Sequence, residues 1–252
     1  MLLTSRSEAL LPLLEESLRL MRSALTNPAP FQPKTAKRAF SVGAGDFAQF
    51  IILPPLMEKL AKRAPGIDLW VRELFSGDTV ERLASGDLDM ALLPRMTIPD
   101  SATLRSRFLF EERFVCLVRK DHPTVKKKMT LEQFVSLPHA FITPRGTRGG
   151  AVDDALKAIN KERRVALAVP HFLVAPYAVA SSDLVITVAS RVANYFASKL
   201  PLKLLEPPLP LESFQMLLVW HERLQRDPAH SWFREQIAEA AGPLEVTTNH
   251  RG

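Results

Sequence analysis

Cysteine is almost missing from this chain: Cys116, inside the apolar run Phe114-Val-Cys-Leu-Val118, is the single one in 252 residues. A lone cysteine excludes an internal disulfide framework and a cysteine-based metal site. Its apolar neighbours predict a buried core residue. Long hydrophobic runs are missing too, and none approaches the roughly 20 residues that cross a bilayer. The opening segment MLLTSRSEALLPLLEE breaks its leucines with Arg and Glu, which excludes a secretory signal. A soluble cytoplasmic protein is expected. Catalytic patterns are also lacking. There is no G-x-S-x-G elbow, no H-E-x-x-H and no phosphate loop ending in G-K-[ST]. The six histidines are scattered, and nothing groups Ser, His and Asp into a triad. No enzyme activity, cofactor or metal is expected.

What the chain does have is apolar content and positive charge. At 46% hydrophobic residues it can bury the core of one domain or of two small lobes. The net charge is +6 and the pI about 9.6, which favours nucleic acid, acidic surfaces or anionic ligands.

Residues 4–26 read as a helix with a Ser5-Arg-Ser-Glu8 capping pattern. Leu11, Leu14, Leu18, Met21 and Leu25 form a coiled-coil-like seam, which predicts an oligomerisation helix rather than one lying on its own domain. Pro12 is expected to kink this helix or restart it near Leu11. The three prolines of Thr26-Asn-Pro-Ala-Pro-Phe-Gln-Pro-Lys34 predict a stiff extended linker. A β/α alternation follows. Strands are expected at 37–44, 67–74, 88–93, 104–119, 139–142, 164–169, 184–188, 202–206 and 214–220. Helices are expected at 46–64, 78–85, 130–136, 149–160, 173–181, 190–199 and 228–241, the first of them kinked or restarted at Pro54-Pro55. Such alternation implies an α/β fold with parallel sheets covered on both faces. The basic connector 119–128 marks a lobe boundary, strands 104–119 and 202–206 are the two crossings, and the tail from Pro243 is loose.

The stretch Ala39–Leu60 joins a strand to a helix through Gly43-Ala-Gly45. The glycines suit an unusual φ or close approach by another group. Asp46 is a candidate N-cap, with Gln49 in the capping-box position. A helix start beyond a strand end leaves N–H groups free to meet a small anion. Gly43-x-Gly45-x-x-Ala48 nearly matches a dinucleotide fingerprint, but bulky Phe47, Phe50 and the paired prolines disfavour a pyrophosphate there. Asp87-Leu-Asp89 reads as a solvated turn. In Val169-Pro-His-Phe-Leu173 a strand passes into a helix, so His171 and Phe172 lie near the top of a sheet, where α/β clefts form. The plainer alternative is that His171 is a boundary residue and Phe172 core. The turn Phe141–Gly150 offers Thr143, Arg145 and Thr147 as donors to a carboxylate, or is only a solvated loop. A third turn of this kind is Phe75-Ser-Gly-Asp78.

With those residues in place, the chain resembles the LysR-type transcriptional regulators over roughly residues 2–241. The resemblance rests on Leu3-Thr-x-x-x-Glu-Ala-Leu10, PPLMEKLAKRAPGIDLWV, ERLASGDLDMAL, LFEERFVCLVRKDHP and SSDLVITV. Phe114–Pro123 and Val169–Phe172 look most like the subgroup responding to aromatic or nodulation signals. The resemblance implies two Rossmann-like lobes like those of type 2 periplasmic binding proteins, preceded by a linker helix. Residues 1–36 would then be linker helix and linker, 37–120 with 206–242 lobe I, 121–205 lobe II and 243–252 a tail. It implies a small-molecule effector, aromatic or carboxylate, between the lobes. Gly45, Asp46, Phe47, Phe75, Ser76, Thr143, Arg145, His171, Phe172 and Thr187 would line its cleft. Many members carry Ser or Thr where Asp46 stands, and an ionised Asp46 disfavours an anion unless it is turned away as a cap. A homodimer or homotetramer is implied. The family's DNA-reading winged helix-turn-helix precedes the linker helix, so this chain is expected to bind DNA weakly and without specificity. A solute-binding protein of the same fold is the alternative.

Overall fold

The computed structural model describes residues 5–26, 31–74, 77–144 and 146–242. Helix α1 (Ser5–Thr26) comes first and runs through Pro12 without a restart. The described end of the proposed linker is a turn rather than an extended spacer: the Thr35 and Ala36 N–H groups both donate to the Gln32 carbonyl. Phe31 docks on Trp232 at 5.3 Å between ring centres, because an aromatic ring gains more from that apolar surface than from water.

Two five-stranded sheets follow. The first contains β1 (Arg38–Ala44), β2 (Ile67–Arg72), β3 (Met90–Pro94), β4 (Leu104–Glu112) and β10 (Phe214–His221), in the order β2-β1-β3-β10-β4. The second contains β5 (Phe114–Arg119), β6 (Pro138–Ile142), β7 (Arg164–Val169), β8 (Val185–Ala189) and β9 (Leu202–Leu205), in the order β7-β6-β8-β5-β9. Both sheets share one plan. Three parallel strands are joined by an antiparallel fourth that has come across from the other lobe: β10 in the first, β5 in the second.

The crossings differ from the sequence expectation. Strand 104–119 is two strands parted at Arg113, the first pairing with β10 and the second with β8 and β9. Glu112 marks the break. Its buried carboxylate accepts from the Arg113 N–H, the Ser190 N–H and the Ser190 hydroxyl, so it ties the crossing to the start of the last helix of lobe II, α7 (Ser190–Ala197). The connector 119–128 therefore lies beyond β5, within lobe II. Strand β9 stays in the second sheet, and the return crossing is the irregular 206–213. Pro207, Pro208 and Pro210 lack the N–H that a ladder requires.

Helices cover both faces of each sheet. Helix α2 (Asp46–Arg63) and α8 (Pro228–Ala240) share a core with Phe40, Met90 and Phe110, while α3 (Thr79–Ser85) covers the opposite face through Leu83. In lobe II, α6 (Val174–Ala180) and α7 (Ser190–Ala197) cover one face, and α4 (Leu131–Ser136) and α5 (Ala151–Ala158) the other. Helix α2 is continuous through Pro54 and Pro55. Its stripe Ala48, Ile52, Leu56 and Leu60 is fully buried, each large side chain contributing roughly 1.5–3 kcal/mol of apolar burial, which offsets the lost helix bonds. The Asp87-Leu-Asp89 turn is only half solvated: Asp89 accepts the Ser41 N–H at 2.8 Å and pins the turn to β1.

In each lobe a buried histidine is held between a carbonyl and an arginine. His139 Nε2 donates to the Phe134 carbonyl at 2.7 Å, and its Nδ1 faces Arg163. His230 Nε2 donates to the Asp89 carbonyl at 2.9 Å, and its Nδ1 faces Arg234. Burial holds both below the ordinary imidazole range, His139 at about 4. Cys116 is fully buried, and burial pushes its thiol up to about 11, which makes it a packing residue.

Candidate ligand cleft between the two lobes

The lobes meet along α2. Gly45, not Asp46, is the N-cap of that helix, and it makes no side-chain cap bond. The expected capping box is absent as well, because Gln49 Nε2 donates to the Ala44 carbonyl at 2.9 Å. Asp46 is thereby free to act across the cleft. Its Oδ2 accepts the N–H of Phe172 at 2.9 Å and lies 3.8 Å from His171 Nδ1. A cap would have spent the carboxylate on its own helix; here it bonds a backbone group 126 residues away.

Beside this polar bridge stands an aromatic contact. Phe50, one helical turn beyond Asp46, sits edge-on to Phe172 at 5.0 Å and to Tyr195 at 4.9 Å, and stacks on Phe196 at 6.0 Å. Phe47 points toward the crossings instead, with Phe214 at 5.7 Å and Phe110 at 6.2 Å. Phe50 and Tyr195 were not foreseen as cleft residues. The i, i+4 spacing of Asp46 and Phe50 was the available signal for the first.

The glycines divide their work. A Cβ at Gly43 would lie 2.5 Å from Leu74 Cδ2 and 3.0 Å from Leu88 Cδ1, so a side chain there requires the Leu74 side chain to shift. Gly45 has an ordinary φ of −75°, and no described atom would come within 4 Å of a Cβ there. Space is open beside the N-terminus of α2, where unpaired N–H groups face outward.

The remaining expected residues fall as follows. His171 is exposed, while Phe172 is 4% exposed and belongs to the core of lobe II, so it contributes its N–H to the bridge and its ring to packing. Thr143 is half-buried, and its hydroxyl closes its own loop by donating to the Thr147 carbonyl at 2.7 Å. Thr187 lies in the middle of β8 rather than at its end. It is 3.4 Å from Cys116 Sγ, on the opposite sheet face from the Ile186 and Val188 that pack with Phe172. Phe75, Ser76 and Arg145 lie outside the described residues. On α1, Leu11, Leu14, Leu18 and Met21 are 45–60% exposed, and no described residue covers them; the Leu25 side chain is outside the description.

Two α/β lobes, each a five-stranded sheet with one antiparallel strand exchanged from the other lobe, meet at the start of α2, which is the plan of a two-lobe ligand-binding domain. The model of the LysR substrate binding domain family matches residues 34–242, and the chain belongs to that family. The chain is 35% identical over 226 residues to the transcriptional activator NagR of a Ralstonia species, spanning 88% of this chain and 73% of that protein. It is 30% identical to the transcriptional activator NahR of Pseudomonas putida, over 87% of this chain and 72% of that one. Among solved structures, a probable transcriptional regulator from Pseudomonas aeruginosa superposes with a TM-score of 0.75 at 31% identity, covering 93% of this chain and 77% of that one. The regulatory domain of MexT, a transcriptional activator in the same organism, gives 0.71 at 29% identity, covering 82% and 99%. These relatives favour a transcriptional regulator over a solute-binding protein. Among the described residues no helix is long and apolar enough to cross a membrane.

Proposed function

We propose that a small molecule binds between the two lobes and that its binding sets the activity of a transcriptional regulator. The observation that carries this reading is the Asp46 bridge to Phe172, which spans the cleft next to open space at Gly45. A ligand entering there acts through its differential affinity for lobe arrangements with and without that bridge. The site would comprise Gly45, Asp46, Phe47, Thr143, His171, Phe172 and Thr187, with Phe75, Ser76 and Arg145 added from the sequence.

The effector would be a small aromatic compound, with any carboxylate held at the Thr143–Arg145 end. The rings of Phe50 and Tyr195 supply apolar walls, whereas the Asp46 carboxylate repels an anion at its own end. Relatives named as transcriptional activators (NagR, NahR) support the regulator part of this reading. The seam on α1 would join two or four copies, and DNA would be read by a winged helix of the full regulator. Thermal-shift screening against small aromatic acids and their uncharged analogues tests the effector reading. A compound bound at 100 times its Kd adds about 2.7 kcal/mol, or roughly 5–10 °C of midpoint for a chain this long. A panel in which no compound shifts the midpoint contradicts the aromatic effector.

A further inference from the structure

The positive charge of this chain is not shared between its lobes. Residues 113–205 hold fifteen Lys and Arg against six Asp and Glu, a net +9. Residues 31–112 and 206–242, which make up the other lobe, hold fourteen against seventeen, a net −3. The whole excess therefore resides in lobe II.

Much of it is gathered at one end of that lobe. Strand β9 is one edge of the second sheet, paired only to β5, and the loop after β5 folds back against it. The Lys120 N–H donates to the Pro201 carbonyl at 2.7 Å, and Lys203 Nζ donates to the Val125 carbonyl at 2.6 Å. These two bonds set Lys120, Lys126, Lys127, Lys128 and Lys203 around one ridge. The first four are exposed. Asp121, whose charge reaches Lys203, and Asp183 are both held by Arg119. Among the described residues none of the five lysines has a carboxylate within ion-pair reach. Burial and then the charge of Lys126 lower the affinity of Lys203 for its proton, with Asp121 acting in the opposite direction.

We propose that this ridge contacts the phosphate backbone of nucleic acid, giving lobe II a sequence-independent electrostatic hold on the DNA that the regulator controls. A row of lysines on flexible stems suits phosphates, which carry regular charge and need no shape match. Nucleic acid is preferred to an acidic protein because the chain belongs to a family of DNA-binding regulators, and the proposal rests on that reading for this choice alone. Arg119 is a structural clamp here and is left untouched in the test.

The test is fluorescence anisotropy of the full chain with a labelled duplex of random sequence, as a function of salt. The probe variant is Lys126→Gln, Lys127→Gln, Lys128→Gln. The control is Lys34→Gln, Lys37→Gln, Arg72→Gln on lobe I, and circular dichroism checks both for folding. The expected result for the probe variant is a salt slope smaller by about 2–3 and binding at least tenfold weaker at about 50 mM salt, with the control unchanged. Equal weakening in both variants, or none in the lobe II variant, overturns the proposal. So does displacement of the duplex by polyglutamate at lower charge concentration than by unlabelled DNA, which would assign the ridge to an acidic protein. The assay needs no effector, so its outcome is independent of the cleft.

Discussion

Replacing Asp46 with alanine removes one acceptor from one specific amide, the N–H of Phe172 in the other lobe. A hydrogen bond to a charged group is worth about 1.5–3 kcal/mol when well buried. The Asp46 side chain is 27% exposed and that of His171 57%, so solvent screens the pair and the His171 contact adds little. The discounted loss is about 1–2 kcal/mol, a factor of roughly 5–30 in the equilibrium between bridged and open arrangements. Hydrogen exchange of the Phe172 amide reads that factor directly, since opening is what exposes it. Asp46→Ala should speed its exchange by that factor. Asp46→Asn keeps an acceptor oxygen and should fall between the variant and the parent. The Phe134 amide, bonded to the Thr130 carbonyl inside lobe II, should not change. An unchanged rate at Phe172, or an equal change at Phe134, would refute the bridge as a local device between the lobes.

Two further outcomes follow from the same structure. His139 binds its proton at about 4 in the fold against 6.5 ordinarily, so the unfolded chain takes up more protons between those values. Stability is full above pH 6.5 and falls as pH drops toward 4, by at most about 3 kcal/mol, with His230 acting in the same direction. Urea unfolding at pH 7 and pH 4.5 measures it, and His139→Gln should lessen the pH dependence; identical midpoints at both pH values would count against the buried neutral imidazoles. On α1, deleting residues 1–26 should lower the assembly state seen by light scattering, and Leu14→Lys with Leu18→Lys should act the same way. The same mass with and without the seam would remove α1 as an assembly contact.

Much of the fold was legible because it is local. The alternation of apolar runs with helical spacing placed ten strands to within a few residues, with one pair fused as 104–119. What was illegible depends on partners far along the chain. Asp46 looks like a cap because Asp at a helix start usually is one; only the arrival of the Phe172 N–H turns it outward. The capping box occurs instead at Thr130 and Gln133, a pattern equally visible in sequence. The parting at Arg113 follows from Ser190 bonding to Glu112 and to the Arg113 carbonyl, a contact no local pattern announces. Thr187 shows the limit of period-2 reasoning: a strand fixes that neighbours alternate, but the sheet decides which face each set meets. The bland reading of Phe172 as core and the sharper one as cleft residue both describe it, through ring and backbone respectively.

The most direct test of the cleft uses Gly45. Its φ of −75° admits any residue, and no described atom lies within 4 Å of the Cβ position, so Gly45→Leu should cost the fold no more than about 1 kcal/mol. The new side chain would nevertheless fill the space beside the N-terminus of α2. Calorimetry with the compound that shifts the parent's midpoint should show one site per chain, with binding abolished in Gly45→Leu and weakened at least tenfold in His171→Ala. Unchanged affinity in both variants would place the ligand elsewhere and contradict a site between the lobes.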